Sequence, residues 1–258
     1  MKPLIVTALY DIGRQDWKTF NMSYHTYLTW MEYTLTLNCD LVVFTETKFE
    51  SKIREMRSKV DPLNIKTTYI VNTVQDLEIY TQWFEKISTL MESEEFKNKR
   101  HWDHVPEMNY PLYNIVMFNK VYFLRQASTL KPEHTHLIWV DAGGIREAIK
   151  NPEGWPNFKK LNSNKVMHFS HNVPFTVQDS EWHTLSQARN IQGGCLICPS
   201  YMIDWYTHEV NKTIGDCISN RYIGSDEKIF DLTYLRNKNN IKLYKSDWRE
   251  YYNWLGTE

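Results

Sequence analysis

Two stretches of this 258-residue chain put carboxylates where a buried segment stops or starts. The apolar run Leu137-Ile138-Trp139-Val140 leads straight into Asp141-Ala142-Gly143-Gly144. A carboxylate directly after a buried strand, followed by small residues, can meet a metal-bound diphosphate while the backbone comes close. The plain alternative is a turn, in which the aspartate bonds its own backbone and glycine supplies positive φ. The second stretch, Ser225-Asp226-Glu227-Lys228, opens a helix-like segment. A carboxylate placed there can take a proton from a hydroxyl. A helix start, with Ser225 as cap and the acids favoured by the dipole, explains the same residues.

A third group is His168-x-x-His171 with Cys195-x-x-Cys198. Two such pairs can build a zinc site. Cys195-Leu196-Ile197-Cys198 reads as strand, however, which turns the two thiols to opposite faces. Zinc is therefore not expected; a single histidine, 168 or 171, at a strand end is a better ligand candidate for a metal or phosphate, although for His168 a satisfied core histidine is the stronger expectation. No GxGxxG follows a strand and no Walker A lysine loop is present, so neither common dinucleotide nor P-loop chemistry is expected.

These residues need elements to carry them. Leu4 to Leu9, Leu41 to Thr45, Thr67 to Val71, His136 to Asp141, Lys165 to Ser170, Gly193 to Pro199 and Ile241 to Tyr244 read as strands. Between them, apolar residues recur at three- and four-residue steps from Trp17 to Leu35, Phe49 to Val60, Asp76 to Glu92, Leu112 to Ala127, Tyr201 to Lys212 and Asp226 to Leu235, the spacing of one helix face. Lys97 to Pro111 reads as a surface loop. This alternation predicts a single α/β domain with a mostly parallel sheet and helices on both faces. In such a sheet ligands sit beyond the carboxyl ends of the strands. That directs attention to Tyr10 through Arg14, Glu46-Thr47-Lys48, Asp141 through Gly144, Ser170-His171-Asn172 and the region of Gly193 and Gly194.

Val6-Thr7-Ala8-Leu9-Tyr10-Asp11-Ile12-Gly13-Arg14 resembles the opening of the HtrL/YibB family, bacterial-type proteins related to GT-A glycosyltransferases. Asn119-Lys120 and Trp139-Val140-Asp141-Ala142-Gly143 are similar to that family's central blocks, in the same order. Asp141-Ala142-Gly143 looks like the GT-A Asp-x-Asp region with Gly143 in the second acidic position, so metal coordination would be weaker, water-mediated or supplied elsewhere. The resemblance implies a GT-A-like, Rossmann-like domain, residues 1–145 binding nucleotide and 146–258 binding acceptor. It places Thr7, Tyr10 and Asp11 at the nucleoside, with the Tyr10 ring stacking on the base. Arg14 and Lys120 would neutralise the diphosphate, and Asp141 would hold Mn²⁺ or Mg²⁺. Gly193 and Gly194 would floor the sugar pocket, with Asp226 or Glu227 as catalytic carboxylate. The implied activity is that of a glycosyltransferase moving a sugar from a UDP- or GDP-sugar to a hydroxyl of a glycan acceptor. Two alternatives stay open: a non-catalytic carbohydrate-binding protein, favoured by Gly143, and a sugar-phosphate nucleotidyltransferase. The latter would need a Gly-rich loop after the first strand, where only Gly13 stands.

Composition limits the partners. Thirty Lys and Arg face 31 Asp and Glu, without the basic excess of a nucleic-acid binder. No run of 18 apolar residues predicts a transmembrane helix, although peripheral membrane contact stays open. The apolar stretch near the amino terminus is too short for a signal peptide, so the four cysteines are expected in a reducing cytoplasm. The aromatic tail Trp248-Arg249-Glu250-Tyr251-Tyr252-Asn253-Trp254 either packs on the sheet or closes over the donor as a lid, packing being the better expectation.

Overall fold

The computed structural model describes residues 2–99, 105–161, 163–171 and 190–257. Seven strands form one sheet: β1 (Pro3–Leu9), β2 (Leu41–Thr45), β3 (Thr67–Val71), β4 (His136–Val140), β5 (Val166–Ser170), β6 (Ile191–Pro199) and β7 (Ile241–Lys245). Their spatial order is β3-β2-β1-β4-β6-β5-β7. All neighbouring pairs are parallel except those of β6, which runs antiparallel to both β4 and β5. The fold is thus the expected α/β architecture. Its reversed strand was not legible, because connection lengths alone do not state direction. Reversal brings the amino end of β6 to the carboxyl end of β4, with Cys195 opposite Val140.

Side chains alternate across the strands and divide the core into two layers. Leu4, Val6, Val42, Phe44, Leu137, Trp139, Leu196 and Cys198 face one layer. Ile5, Leu9, Leu41, Val43, Ile138, Val140, Cys195 and Ile197 face the other. The first layer is covered by α3 (Glu78–Glu92), α5 (Pro111–Phe118), α6 (Lys120–Leu130), α7 (Ile203–Ser219) and α8 (Asp226–Arg236). The second is covered by α1 (Tyr24–Leu35), α2 (Thr47–Arg57) and α9 (Glu250–Gly256). A short helix, α4 (Glu94–Lys99), follows α3. No helix among the described residues is long and apolar enough to cross a membrane.

Several boundaries differ from the periodicity. The stripe from Trp17 is not helical throughout: a 3-10 turn spans Arg14–Asp16, Phe20 takes φ 54°, and α1 starts at Tyr24. Ser23 caps α1 by accepting from the Thr26 amide at 3.1 Å, a start signal that outweighs the apolar spacing upstream. The segment read as one helix from Leu112 divides at Asn119 into α5 and α6, the Asn119 side-chain Oδ1 accepting from the Ile79 amide at 3.3 Å. The loop expected over Lys97 to Pro111 includes the end of α4 and a 3-10 turn at Pro106–Met108; residues 100–104 lie outside the described residues.

The aromatic tail packs. Tyr251, Tyr252 and Leu255 of α9 are buried in the second layer, and the Trp155 indole donates to the Tyr252 carbonyl at 2.9 Å. Two glycines make room. A Cβ on Gly144 would lie 2.1 Å from the Tyr252 hydroxyl, and one on Gly194 would lie 2.4 Å from the Tyr251 hydroxyl. The Tyr252 hydroxyl donates to the Gly194 carbonyl at 2.7 Å, tying the tail to β6.

Two predictions follow from this packing. Gly144→Ala should destabilise the protein by about 1–3 kcal/mol, the usual cost of overpacking. Combining it with Tyr252→Phe should cost less than the sum of the single changes, since both act on one contact; urea midpoints measure this. The second concerns His168, fully buried in β5, whose Nε2 lies 2.6 Å from the Tyr206 hydroxyl. Burial, with a smaller push from Lys120, lowers its pKa to about 3. The unfolded chain takes up a proton below the ordinary histidine value of about 6.5 and the folded chain does not. Stability is therefore lost as pH falls from about 6.5 toward 3. His168→Gln should flatten that acid limb in melting temperature measured between pH 7 and 4.5.

Candidate functional site

A cleft of about 250 Å³ opens where β1 and β4 end and β6 begins. Its centre is a buried ammonium. Lys120, the first residue of α6, is 1% exposed. Its Nζ lies 2.6 Å from Asp226 Oδ2, 2.9 Å from Asp141 Oδ1 and 2.8 Å from the Gly193 carbonyl. Three acceptors match the three N–H donors of a lysine. Burial alone would lower the Lys120 pKa, but the charges of Asp141 and Asp226 outweigh it and hold the ammonium above its ordinary range. Removing one partner of such a buried cluster strands a charge, typically at about 3–5 kcal/mol.

Each member reaches the cluster for a local reason. Asp141 leaves the end of β4, its amide donating to the Gly194 carbonyl at 3.1 Å and its carbonyl accepting from Gly144 at 2.8 Å. The Trp139 indole donates to Asp141 Oδ1 at 2.6 Å, so this oxygen serves two donors. Asp226 stands at the first position of α8, but the Ser225 side chain makes no capping bond there. The Asp226 carboxylate turns to Lys120 instead of serving only the helix end. Gly193 permits this: a Cβ on it would lie 2.2 Å from Asp226 Oδ2.

Three arginines supply positive charge across the cleft: Arg14, Arg146 and Arg249. Arg14 follows β1 in a turn pinned by the Tyr24 hydroxyl, which accepts from the Ile12 and Arg14 amides at 2.8 and 3.2 Å, and by Gly13 at φ 73°. Its guanidinium lies 5.4 Å from the Tyr27 ring and 5.3 Å from Trp17. Arg146 sits 3.8 Å over the Trp30 ring and donates to the Gly143 carbonyl at 2.9 Å. Arg249, in the left-handed region at φ 69°, lies 4.2 Å over Trp248. Burial first, then the charges of Arg249 and Arg14, push the Arg146 pKa down. The three guanidiniums thus repel one another, and their aromatic seats hold them in place without neutralising them.

The residues singled out from sequence divide accordingly. Tyr10, Arg14, Lys120, Asp141, Gly143, Gly193, Gly194, Asp226 and Glu227 all line the cleft. Thr7 does not reach it, being fully buried within β1 opposite Val43. Asp11 stands outside it, accepting from the Gly13 amide at 2.8 Å and pairing with Lys48. Glu46 accepts from the Asp11 amide at 2.6 Å, so Glu46 and Lys48 brace the same turn. Tyr10 lines the wall, but its ring is 3% exposed and stacks on Phe123, which stacks on Trp139. It offers a base an edge of the wall, not the open platform expected. Lys120 is likewise not a solvated phosphate ligand, because its charge is spent between two carboxylates. Neither His168 nor His171 lines the cleft, and Asn172 lies outside the described residues. Cys195 and Cys198 face opposite layers, as strand geometry requires. Arg146 carries no signal in the sequence, and Trp248 and Arg249 stand out there only as part of the aromatic tail; the docking of α9 brings both to the end of β4.

The expected divalent ion at Asp141 does not suit this donor set. The position between Asp141 and Asp226, where a bridging cation would sit, is filled by the Lys120 ammonium. Among the described residues no three His, Cys, Asp or Glu side chains converge as ligands. Gly143 cannot readily supply the missing carboxylate, since a Cβ there would lie 3.0 Å from Tyr27 and 3.1 Å from Trp30.

Solved structures with a similar course of chain include the galactosyltransferase LgtC in complex with donor and acceptor sugar analogs, at TM-score 0.48 and 11% identity, covering 93% of this chain and 72% of that one. Mouse xyloside xylosyltransferase 1 matches at TM-score 0.47 and 12% identity, covering 94% and 84%. A 4-diphosphocytidyl-2C-methyl-D-erythritol synthase from Anaerococcus prevotii matches at 0.46 and 10%, covering 96% and 88%. Among curated proteins, "Protein HtrL" of Escherichia coli (strain K12) is 26% identical over 153 residues, which are 54% of this chain; the match spans half of that relative's length. The model of the HtrL_YibB family, described as "Bacterial protein of unknown function", matches residues 2–255, and the chain belongs to that family.

Proposed function

We propose that the protein is a glycosyltransferase that takes a sugar from a nucleotide-diphosphate donor and passes it to a hydroxyl of a glycan acceptor. One observation carries this reading. A single cleft at the strand ends sets Arg14, Arg146 and Arg249 beside the carboxylates Asp141, Asp226 and Glu227. Cations for the donor phosphates and a proton-accepting group are what such a transfer needs in one place. The cleft draws on residues before and after 145 alike, and in this reading Arg146 and Arg249 serve the donor diphosphate together with Arg14.

In this reading the acceptor oxygen attacks the anomeric carbon of the donor. The bond from that carbon to the diphosphate oxygen breaks, and its electron pair leaves with the diphosphate. The arginines take up the charge that grows there; planar guanidinium forks suit phosphate oxygens, and preset charges of this kind lower the barrier. The acceptor proton passes to a carboxylate. Asp226 and Glu227 are the candidates, and their geometry separates them. Asp226 Oδ2 is committed to Lys120, whereas Glu227 is the next residue on α8 and lines the cleft. Both carboxylates line the cleft; because Asp226 holds Lys120, we assign the proton acceptor to Glu227. Trp248, 53% exposed at the mouth, offers an aromatic face for a sugar ring.

Release of nucleoside diphosphate from a panel of UDP- and GDP-sugars, with glycan acceptors, tests the reading. Glu227→Gln should bind donor normally and lose about 10²–10⁴ in turnover, the usual worth of general-base help. Near-normal turnover would remove Glu227 from the proton transfer. Asp141→Ala should abolish turnover and also lower the melting temperature, because Lys120 loses a partner. Formation of a nucleotide sugar from CTP or UTP and a sugar phosphate, without glycosyl transfer, would instead identify a nucleotidyltransferase.

A further inference from the structure

We infer that this cleft binds a nucleoside diphosphate group without a divalent metal ion, the tethered ammonium of Lys120 standing in the cation's place between the two acids and the three arginines carrying the phosphate charge. The inference rests on the nucleotide-sugar reading of the cleft and adds to it the way in which the diphosphate is neutralised.

A divalent ion between Asp141 and Asp226 would have to displace an ammonium that already holds an oxygen of each, at 2.9 and 2.6 Å, and a third oxygen at the Gly193 carbonyl. Lys120 cannot withdraw into solvent cheaply. It is 1% exposed and opens a helix whose next residues, Val121, Tyr122, Phe123 and Leu124, are all buried. The second acidic position after β4 is closed as well, because Gly143 faces Tyr27 and Trp30 at contact distance.

Charge makes the complementary case. Asp141, Asp226 and Lys120 together carry about one negative charge, so the carboxylates no longer present a strong field to a cation. Arg14, Arg146 and Arg249 each rest on aromatic rings, and among the described residues none of them is paired with a carboxylate. Arg146 feels both of the others as like charges. Three guanidiniums held close together are relieved by a multivalent anion, and a diphosphate supplies the charge and the oxygens in one group. An Mn²⁺ or Mg²⁺ ion would add positive charge to a place that already has a surplus.

The test is calorimetry with UDP, GDP and inorganic pyrophosphate, run once with EDTA and once with MnCl₂. Diphosphate affinity should agree within about threefold between the two conditions. Arg146→Gln and Arg249→Gln should each weaken diphosphate and pyrophosphate at least tenfold while uridine or guanosine binding stays unchanged. Paramagnetic resonance of free Mn²⁺ should show no uptake by the wild-type protein. Lys120→Met, where it folds, should gain Mn²⁺ binding; the wild-type measurements decide the matter if it does not fold. A diphosphate affinity that falls tenfold or more in EDTA would overturn the inference and leave the glycosyltransferase reading intact. No diphosphate binding in either condition would overturn both. Arginine variants that bind diphosphate as wild type would remove the arginines from the site and the inference with them.

Discussion

The ammonium of Lys120 between Asp141 and Asp226 is the interaction on which the rest of the cleft depends. It joins three parts of the chain that are remote in sequence: the end of β4, the start of α6 and the start of α8. Because all its donors are matched, the burial cost of the charge is offset only while every partner keeps its place. The surrounding sequence reads as a set of concessions to this cluster. Gly193 gives up a side chain so that Asp226 can approach, and its carbonyl becomes the third acceptor. The Trp139 indole supports the Asp141 carboxylate from below.

A second set of contacts arranges the opposing charges. α1 and α9 both cover the second core layer, and both bring aromatic rings to the cleft rim. Tyr27 and Trp30 of α1 seat Arg14 and Arg146, while Trp248, just before α9, seats Arg249 and lies 5.2 Å from Arg146. A ring face attracts a guanidinium without cancelling its charge, so the arginines stay available to an anion. The same packing explains Gly143 and Gly144. Both lack a side chain because α1 and α9 come within contact of the backbone after β4. The absence of a side chain at 143 and the seating of arginines at 146 and 249 thus share one cause, the close packing of aromatic residues around the end of β4.

The reversal of β6 gives the site its floor. Were β6 parallel to β4, Gly193 and Gly194 would lie at the far end of the sheet. Antiparallel pairing puts Gly194 beside Asp141, so small residues from one strand and an acid from another share an edge. α8 then packs on β6 and delivers Asp226 and Glu227 to the same edge. The small residues and the acids are thereby brought together at one edge of the sheet.

The amino-acid sequence by itself determined the alternation of buried strands and one-faced helices, because burial imposes a period of two or of about 3.6 on any segment. It also marked Arg14 and Asp141 as polar residues that follow a strand, Gly193 and Gly194 as small residues opening one, and Asp226 and Glu227 as acids at a helix start, before their partners were known. Local cues such as the Ser23 cap and the break at Asn119 were also present in the chain, and in the fold they override the apolar stripes around them. Tertiary structure alone decided the rest. Whether Lys120 faces a ligand or a pair of acids depends on contacts 21 and 106 residues away in sequence, and a lysine on a helix looks the same in either case. Whether Tyr10 is a platform or a wall depends on Phe123 behind it. Arg249 and Trp248 enter the cleft only because α9 docks on the sheet, through hydroxyl and indole bonds to residues far up the chain. Charge compensation and close packing are properties of neighbours in space, and no local pattern of residue types encodes them.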